Sequence, residues 1–151
     1  MHDKACALFG YDTEANDASK PLEPALRTAI LKQKIDTFWY CGFSGFDLNA
    51  ALAILKLQDD FPGVKSILIR ASLPTKSDPF PGLYDGALYP DGLESLPSRL
   101  AVVKRNQWMV KHCDLIIASA GNELCDAYEV VLMARRYGKP VVNLGPFPPG
   151  R

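Results

Sequence analysis

The stretch KRNQWMVKHCDLIIASAGNELCDAYEVVLMARRYGKPVVNL, residues 104–144, decides the fold of this chain. Its apolar spacing predicts four elements in order: a helix over 99–113, a strand over 115–118, a helix over 124–137 and a strand over 141–144. Gly121 interrupts the pattern between the first strand and the second helix. Short apolar strands that alternate with amphipathic helices are typical of a parallel sheet covered on both faces.

The first seventy residues extend the same alternation upstream. Apolar runs predict strands over 5–9, 37–41 and 64–69, and helices are expected to begin near Pro21 and Asp47. The proline- and glycine-rich segment 71–97 is predicted to be a long connection. We therefore expect a three-layer α/β/α Rossmann-like sandwich with a mainly parallel central sheet of about five strands. A single domain is expected over 1–151, with 145–151 as an extended tail.

Composition limits the classes of function. The chain has 17 basic and 17 acidic residues, which argues against a nucleic-acid partner held mainly through phosphates. No apolar run approaches the length of a membrane span or a signal peptide, so we predict a cytoplasmic protein with no membrane partner. The four cysteines and two histidines have no metal-ligand spacing, so no metal and no cofactor are predicted.

Glycine-bearing turns follow three of the predicted strands. Parallel sheets of this class bind ligands beyond the carboxyl ends of the strands, where glycine lets the backbone approach a ligand. The strict G-x-G-x-x-G and P-loop fingerprints are absent from the sequence. The candidate ligand-binding residues in these turns are Gly10, Tyr11, Gly42, Ser44, Gly45, Asp47, Gly121 and Asn122. Asp47 is equally well explained as the N-cap of a helix.

Two charged residues on helices are the candidate chemical groups. We expect the apolar residues Val102, Val103, Met109, Val110 and Cys113 to face the core. That pattern puts Arg105 near one boundary of the apolar stripe, where an arginine can reach the strand ends and bind a phosphate. The alternative is that Arg105 and Asn106 belong to a solvated helix face. Glu129, on the next helix, is either a ligand-facing carboxylate or a solvated surface residue.

Several motifs together resemble a known family. They are Phe9-Gly10-Tyr11, FWYCGFSGFD over 38–47, YPDGLE over 89–94, and RNQWMV over 105–110 followed by Asp114. This combination resembles the YpsA-like family of unknown function. That family belongs to the SLOG superfamily of Rossmann-like domains that bind nucleotide ligands. The resemblance covers about residues 5–144 and implies a nucleotide-like small-molecule ligand at the carboxyl ends of the strands.

The same superfamily includes the lonely-guy phosphoribohydrolases, which cleave a nucleoside monophosphate into base and ribose 5-phosphate. By that resemblance Arg105 and Glu129 would be catalytic, Arg105 as the phosphate clamp and Glu129 as the carboxylate. Gly138-Lys139-Pro140-Val141 is similar to a segment of the nucleoside deoxyribosyltransferases. The glycine-rich PGG-x-GT loop of the phosphoribohydrolases is replaced here by 120–124, AGNEL.

Three functional hypotheses follow from these observations. The first is a domain that binds a nucleotide or a nucleotide-derived small molecule. The second is an N-glycosidic hydrolase or transferase acting on nucleoside monophosphates. The third is a non-catalytic interaction module. A homodimer is a further expectation, by analogy with related folds that dimerise through helices.

Overall fold

The computed structural model describes residues 4–10, 19–41, 45–71, 84–119 and 126–144. Its elements are β1 (Ala5–Gly10), α1 (Ser19–Gln33), β2 (Thr37–Tyr40), α2 (Gly45–Leu57), β3 (Lys65–Ile69), β4 (Gly86–Leu88), α3 (Ser98–His112), β5 (Leu115–Ser119), α4 (Asp126–Arg136) and β6 (Val141–Asn143). The helices and strands expected from the sequence are all present, with ends shifted by a few residues. None of the helices in these ranges combines the length and apolar character that a membrane span needs.

The six strands form one sheet in the order β4-β3-β2-β1-β5-β6, and every neighbouring pair is parallel. This confirms the predicted Rossmann-like α/β sandwich and adds a sixth strand to it. The added strand is β4, which lies inside the segment expected to be a connection and pairs with β3 through Ile67↔Gly86. A strand of three residues, two of them exposed, has too little pattern to predict.

Helices cover both faces of the sheet. Cys6 and Leu8 of β1 join the core cluster built with α1 and α2, whereas Ala7 and Phe9 join the cluster built with α3 and α4. This split follows from the alternation of side chains along a strand. Because β1 is covered on both sides, its sequence is an unbroken apolar run rather than an alternating one.

The strand order reverses between β1 and β5, whose last residues pair as Gly10↔Ser119. Ligands of open α/β sheets bind beyond the carboxyl ends of the strands at such a reversal. Since α3 connects two parallel strands, it runs back from the carboxyl edge of the sheet to the amino edge. The first half of α3 and the start of α4 therefore lie at the same carboxyl edge.

Gly10, at the reversal, is fixed by packing. A Cβ added at this position would collide with the aromatic ring of Phe46, which is 5% exposed near the start of α2. Only glycine leaves room for that ring above the end of β1. The close approach ties β1 to α2 at the edge where the candidate site lies.

Asp114 has a structural role at the opposite edge. Its carboxylate Oδ2 accepts a hydrogen bond from the Ala5 backbone N–H at 2.9 Å. Its own backbone N–H donates to the Ala5 carbonyl at 2.8 Å. This carboxylate therefore holds the beginnings of β1 and β5 in register and lies far from the carboxyl ends of the strands.

The buried thiol of Cys113 gives the fold a dependence on alkaline pH. Burial raises the pKa of Cys113 to about 11, an effect partly offset by the charge of Lys139. Burial also raises the pKa values of Cys6 and Tyr40. In the unfolded chain a thiol has a pKa of about 8.5, so above that pH the unfolded state loses a proton that the native state keeps. The free energy of unfolding therefore falls as pH rises.

We expect Cys113→Ala to reduce that fall. One group contributes at most about 1.4 kcal/mol per pH unit, between about pH 9 and the native pKa. Urea unfolding measured from about pH 8 to about pH 11 compares the slopes of the variant and the parent protein. The prediction is wrong if the two slopes are equal.

Candidate functional site

Helix α3 directs the side chain of Arg105 toward the protein interior. Its buried residues are Ala101, Arg105, Met109 and Val110, and Arg105 is only 5% exposed. Val102 and Val103 are 37% and 51% exposed, so the expectation that they face the core is wrong. The helix is rotated so that Ala101, Arg105 and Met109, spaced four residues apart, form its inner face. Arg105 lies in the middle of the buried stripe and not at its boundary.

The Arg105 guanidinium reaches the carboxyl end of β3. One of its Nη atoms donates to the Ile69 carbonyl at 3.2 Å, and Nε donates to Asn106 Oδ1 at 2.8 Å. Both acceptors are neutral. Within the described ranges, no carboxylate lies at ion-pair distance from Arg105. A buried cation without a counter-charge is costly, because neutral hydrogen bonds replace only part of its lost hydration.

A second buried arginine follows β3 directly. Arg70 is 8% exposed, and its backbone N–H donates to the Leu88 carbonyl of β4 at 2.8 Å. It is the next residue after Ile69, whose carbonyl receives the Arg105 hydrogen bond. Two guanidinium-bearing residues thus converge on the carboxyl end of β3. The sequence interpretation missed Arg70, although a basic residue directly after an apolar strand of a parallel sheet is a usable signal.

A cavity of about 320 Å³ lies between α3 and α4 at the same edge of the sheet. Its walls are Arg99, Val102, Val103 and Asn106 of α3, and Glu129, Val130 and Met133 of α4. Asn106 connects the cavity to Arg105, since its side chain also accepts the Nε hydrogen bond. The volume is at the lower end of the range for small-molecule sites. Arg99 is a further cavity residue that the sequence interpretation did not single out.

The structure brings some of the predicted site residues together. Asn106 and Glu129 line one cavity, and Asn106 contacts Arg105. The Arg105 guanidinium points to β3, where it bonds the Ile69 carbonyl. Arg105 is not among the described residues that line the cavity. Glu129 is solvent-exposed and lies in the first part of α4.

The glycine-bearing turns are described only in part. Gly10 ends β1 and Gly45 begins α2. Asp47 lies within the first turn of α2 and is 4% exposed, so it is a helical residue and not the N-cap. An acidic residue there is favourable because the helix N-terminus is partly positive. Predicted site residues outside the described part of the chain are Tyr11, Gly42, Ser44, Gly121 and Asn122.

The chemistry available at this edge is anion recognition combined with hydrogen bonding. Arginine binds phosphate with two parallel hydrogen bonds, and a nearby amide and carboxylate recognise hydroxyl or amino groups. Among the described residues, no three histidine, cysteine, aspartate or glutamate side chains are grouped so as to hold a metal ion.

Solved structures similar to this one are molybdenum cofactor proteins. The molybdenum cofactor binding protein from the phototrophic bacterium Rippkaea orientalis has a TM-score of 0.65 and 19% identity, covering 95% of this chain and 77% of that one. The Moco carrier protein from Chlamydomonas reinhardtii has a TM-score of 0.62 and 16% identity, covering 95% and 77%. No protein-family model matches the chain, and no curated protein matches its sequence. At these identities the likeness shows a shared Rossmann-like fold alone.

Proposed function

We propose that this chain is a YpsA-like, SLOG-type domain that binds a phosphorylated nucleotide or nucleotide-derived small molecule at the carboxyl ends of its strands. Arg105 carries the proposal. Its guanidinium is 5% exposed, and the partners it has among the described residues are the neutral oxygens of Ile69 and Asn106. Within that part of the chain its positive charge therefore has no counter-charge. Proteins retain such a charge where it meets an anionic group of a ligand.

The proposed ligand divides between two neighbouring parts of the site. Its phosphate meets Arg105 at the carboxyl end of β3. Its sugar or ring occupies the cavity between α3 and α4, where the apolar side chains Val130 and Met133 form one wall. Glu129 accepts hydrogen bonds from hydroxyl or amino groups there. Asn106 orients Arg105 and contacts the cavity at the same time.

The turns after β1, β2 and β5 complete the proposed site. In this fold, loops that follow parallel strands gather at the carboxyl edge of the sheet, where backbone N–H groups bind phosphate. The residues proposed to contribute in this way are Gly10, Tyr11, Gly42, Ser44, Gly45, Asp47, Gly121 and Asn122. Gly10 contributes mainly by letting Phe46 approach, since its Cβ position is filled by that ring.

The names of the structural neighbours add one ligand to the candidates. Both are named for binding or carrying the molybdenum cofactor, so we include that cofactor among the candidate ligands of this site. The buried Arg105 would meet an anionic group of such a ligand, and Asn106 and Glu129 would meet its polar groups in the cavity.

A thermal-shift screen tests the proposal. Nucleoside mono- and diphosphates, ADP-ribose derivatives, cyclic nucleotides and pterin phosphates are added to the protein, and a ligand that binds only the native state raises Tm. We expect at least one of them to raise Tm and the rise to be lost in Arg105→Gln. The matched control is Arg136→Gln, which removes an exposed charge at the C-terminal end of α4, away from the proposed site. A panel without any shift would refute the proposal.

N-glycosidic cleavage of a nucleoside monophosphate is a second candidate function. The position of Glu129 favours it, because this carboxylate lines the cavity with Asn106, whose side chain contacts Arg105. A carboxylate there would stabilise or attack the ribosyl carbon as positive charge develops on it. Incubation with nucleoside monophosphates followed by chromatography for free base measures this activity. If Glu129→Gln releases base as fast as the parent protein, Glu129 does not act on the ribosyl carbon.

A further inference from the structure

A second groove lies on α3, apart from the cavity described above. It has a volume of about 330 Å³ and runs between the turn over residues 90–96 and the C-terminal half of α3. We call it the α3 groove. Its walls are Pro90, Asp91, Gly92, Leu93, Leu96, Lys104, Gln107, Trp108, Lys111 and His112. None of these residues lines the cavity between α3 and α4.

The turn forms a fixed wall of the α3 groove. Gly92 has a φ of 88°, a backbone conformation that favours glycine. Leu93, the next residue, is 5% exposed and anchors the turn in the protein. The Leu96 N–H donates to the Leu93 carbonyl at 3.1 Å, and Ser95 Oγ donates to the Gly92 carbonyl at 3.3 Å. The wall is therefore preformed, which lowers the entropic cost of binding a ligand.

The opposite wall is aromatic and basic. Trp108 stacks on His112 with 4.7 Å between ring centroids, and its centroid lies 5.0 Å from that of Trp39. Lys104 and Lys111, which lie seven residues apart on the same face of α3, are both exposed. Lys111 Nζ lies 5.6 Å from the centre of the Tyr137 ring, so that lysine has a defined position.

The charges of the α3 groove are unbalanced. Two lysines face a single carboxylate, Asp91, across a groove that also contains Leu93 and an indole ring. The ion pairs found between described residues join other elements, Arg27 to Asp60 and Lys56 to Glu23. Ammonium groups along α3 beside aromatic and apolar surface match a ligand with a flat apolar body and an anionic end.

We propose that the α3 groove binds a small aromatic anion, a single ring that carries a phosphate or carboxylate group. The anionic end lies between Lys104 and Lys111, and the ring packs against Leu93, Leu96 and the Trp108–His112 pair. The volume of about 330 Å³ accommodates one ring with its anionic group. The proposal does not depend on the ligand assigned to the Arg105 site.

Phenyl phosphate is the probe that tests it. The two tryptophans of the chain are Trp39 and Trp108, which contact each other, so a ring bound in the α3 groove changes the intrinsic fluorescence. We expect saturable binding of phenyl phosphate, with shifts of the Trp108 indole and His112 ring signals in NMR spectra. Lys104→Ala combined with Lys111→Ala should weaken binding at least tenfold. Lys56→Ala, an exposed lysine on α2, should leave it unchanged.

Two further measurements separate the α3 groove from the Arg105 site. Benzyl alcohol, which has the ring but not the charge, should not bind detectably. Arg105→Gln should leave the Trp108 and His112 shifts intact, even if it abolishes nucleotide binding. Absence of saturable binding would overturn the proposal. It would equally be overturned if the double lysine variant bound phenyl phosphate as well as the parent protein, or if the NMR shifts fell only around Ile69 and Arg105.

Discussion

Replacing Arg105 with glutamine is expected to weaken binding of a phosphorylated ligand by about 10- to 100-fold. Hydrogen bonds to charged groups contribute about 1.5–3 kcal/mol, and each 1.4 kcal/mol changes affinity tenfold. Glutamine removes the charge and the Nη donor to the Ile69 carbonyl, but keeps an amide donor near the Nε position that bonds Asn106. Titration calorimetry with the best ligand from the screen measures the loss. Arg105→Lys keeps the charge but not the planar guanidinium, so its ligand affinity should lie between those of the parent protein and Arg105→Gln.

The stability of the same variant separates a binding role from a structural one. If Arg105 serves to bind a ligand, removing its buried charge, which has no counter-charge within the described ranges, should leave the free energy of unfolding unchanged or raise it by about 1 kcal/mol. If Arg105 instead holds α3 against β3, the loss of its bond to Ile69 should lower that free energy by about 1–3 kcal/mol. Urea unfolding without ligand decides between these outcomes. A less stable variant with unchanged ligand affinity would contradict the proposed role.

Gly10→Ala should destabilise the protein by about 1–3 kcal/mol, because the new methyl group collides with the Phe46 ring. For a chain of this size that is a fall in Tm of about 2–4 °C for each kcal/mol. Both partners are confined, since Phe46 is 5% exposed and Gly10 is paired with Ser119 at the end of β1. The loss therefore cannot be relieved by a small side-chain movement alone. Thermal unfolding of the variant measures it.

A second substitution identifies the cause of that loss. In Gly10→Ala combined with Phe46→Leu, the smaller side chain makes room for the methyl group, so the two effects should not add. The matched control is Gly63→Ala, since a Cβ at Gly63 meets nothing within 4 Å. Gly63→Ala should change stability by less than about 0.5 kcal/mol. Additive effects in the double variant would show that the collision with Phe46 is not the reason for glycine at position 10.

Apolar periodicity predicts most of this fold. The strands that became β1 and β5 are apolar over nearly their whole length, and the helices have the spacing of amphipathic segments. The alternation of the two element types then specifies a parallel sheet. β4 escapes prediction because it is three residues long and has no buried face of its own. Its position depends on backbone pairing with β3, which no local pattern encodes.

The orientation of α3 could not be read from its sequence. Val102 and Val103 are apolar and Arg105 is charged, so a pattern based on hydrophobicity turns the valines inward. The structure does the opposite, burying Arg105 and exposing both valines. That inversion carries an energetic cost, and such local conflicts are concentrated at functional sites. Arg105 stays a predicted site residue, and its burial could not be predicted from the sequence.

Arg70 shows a different limit of sequence analysis. Its position directly after β3 places it at the carboxyl edge, which is predictable once the sheet is known to be parallel. Its proximity to Arg105 depends on the packing of α3 over β3. The contact that shows this packing joins Arg105 to Ile69, which are 36 positions apart in the sequence. Neither arginine alone distinguishes a site from a solvated surface.

The most direct test of the central claim is an NMR titration with adenosine 5′-monophosphate, in which the amide signals of the backbone and the Nε–H signal of Arg105 are followed. The proposed site predicts saturable shifts at the end of β3, at Arg105 and Asn106 on α3, and around Glu129 on α4. Inorganic phosphate should shift the first two groups and spare the third, because it has no ring to enter the cavity. Shifts confined to another surface, with the Arg105 Nε–H signal unmoved, would contradict a ligand site at the carboxyl ends of the strands.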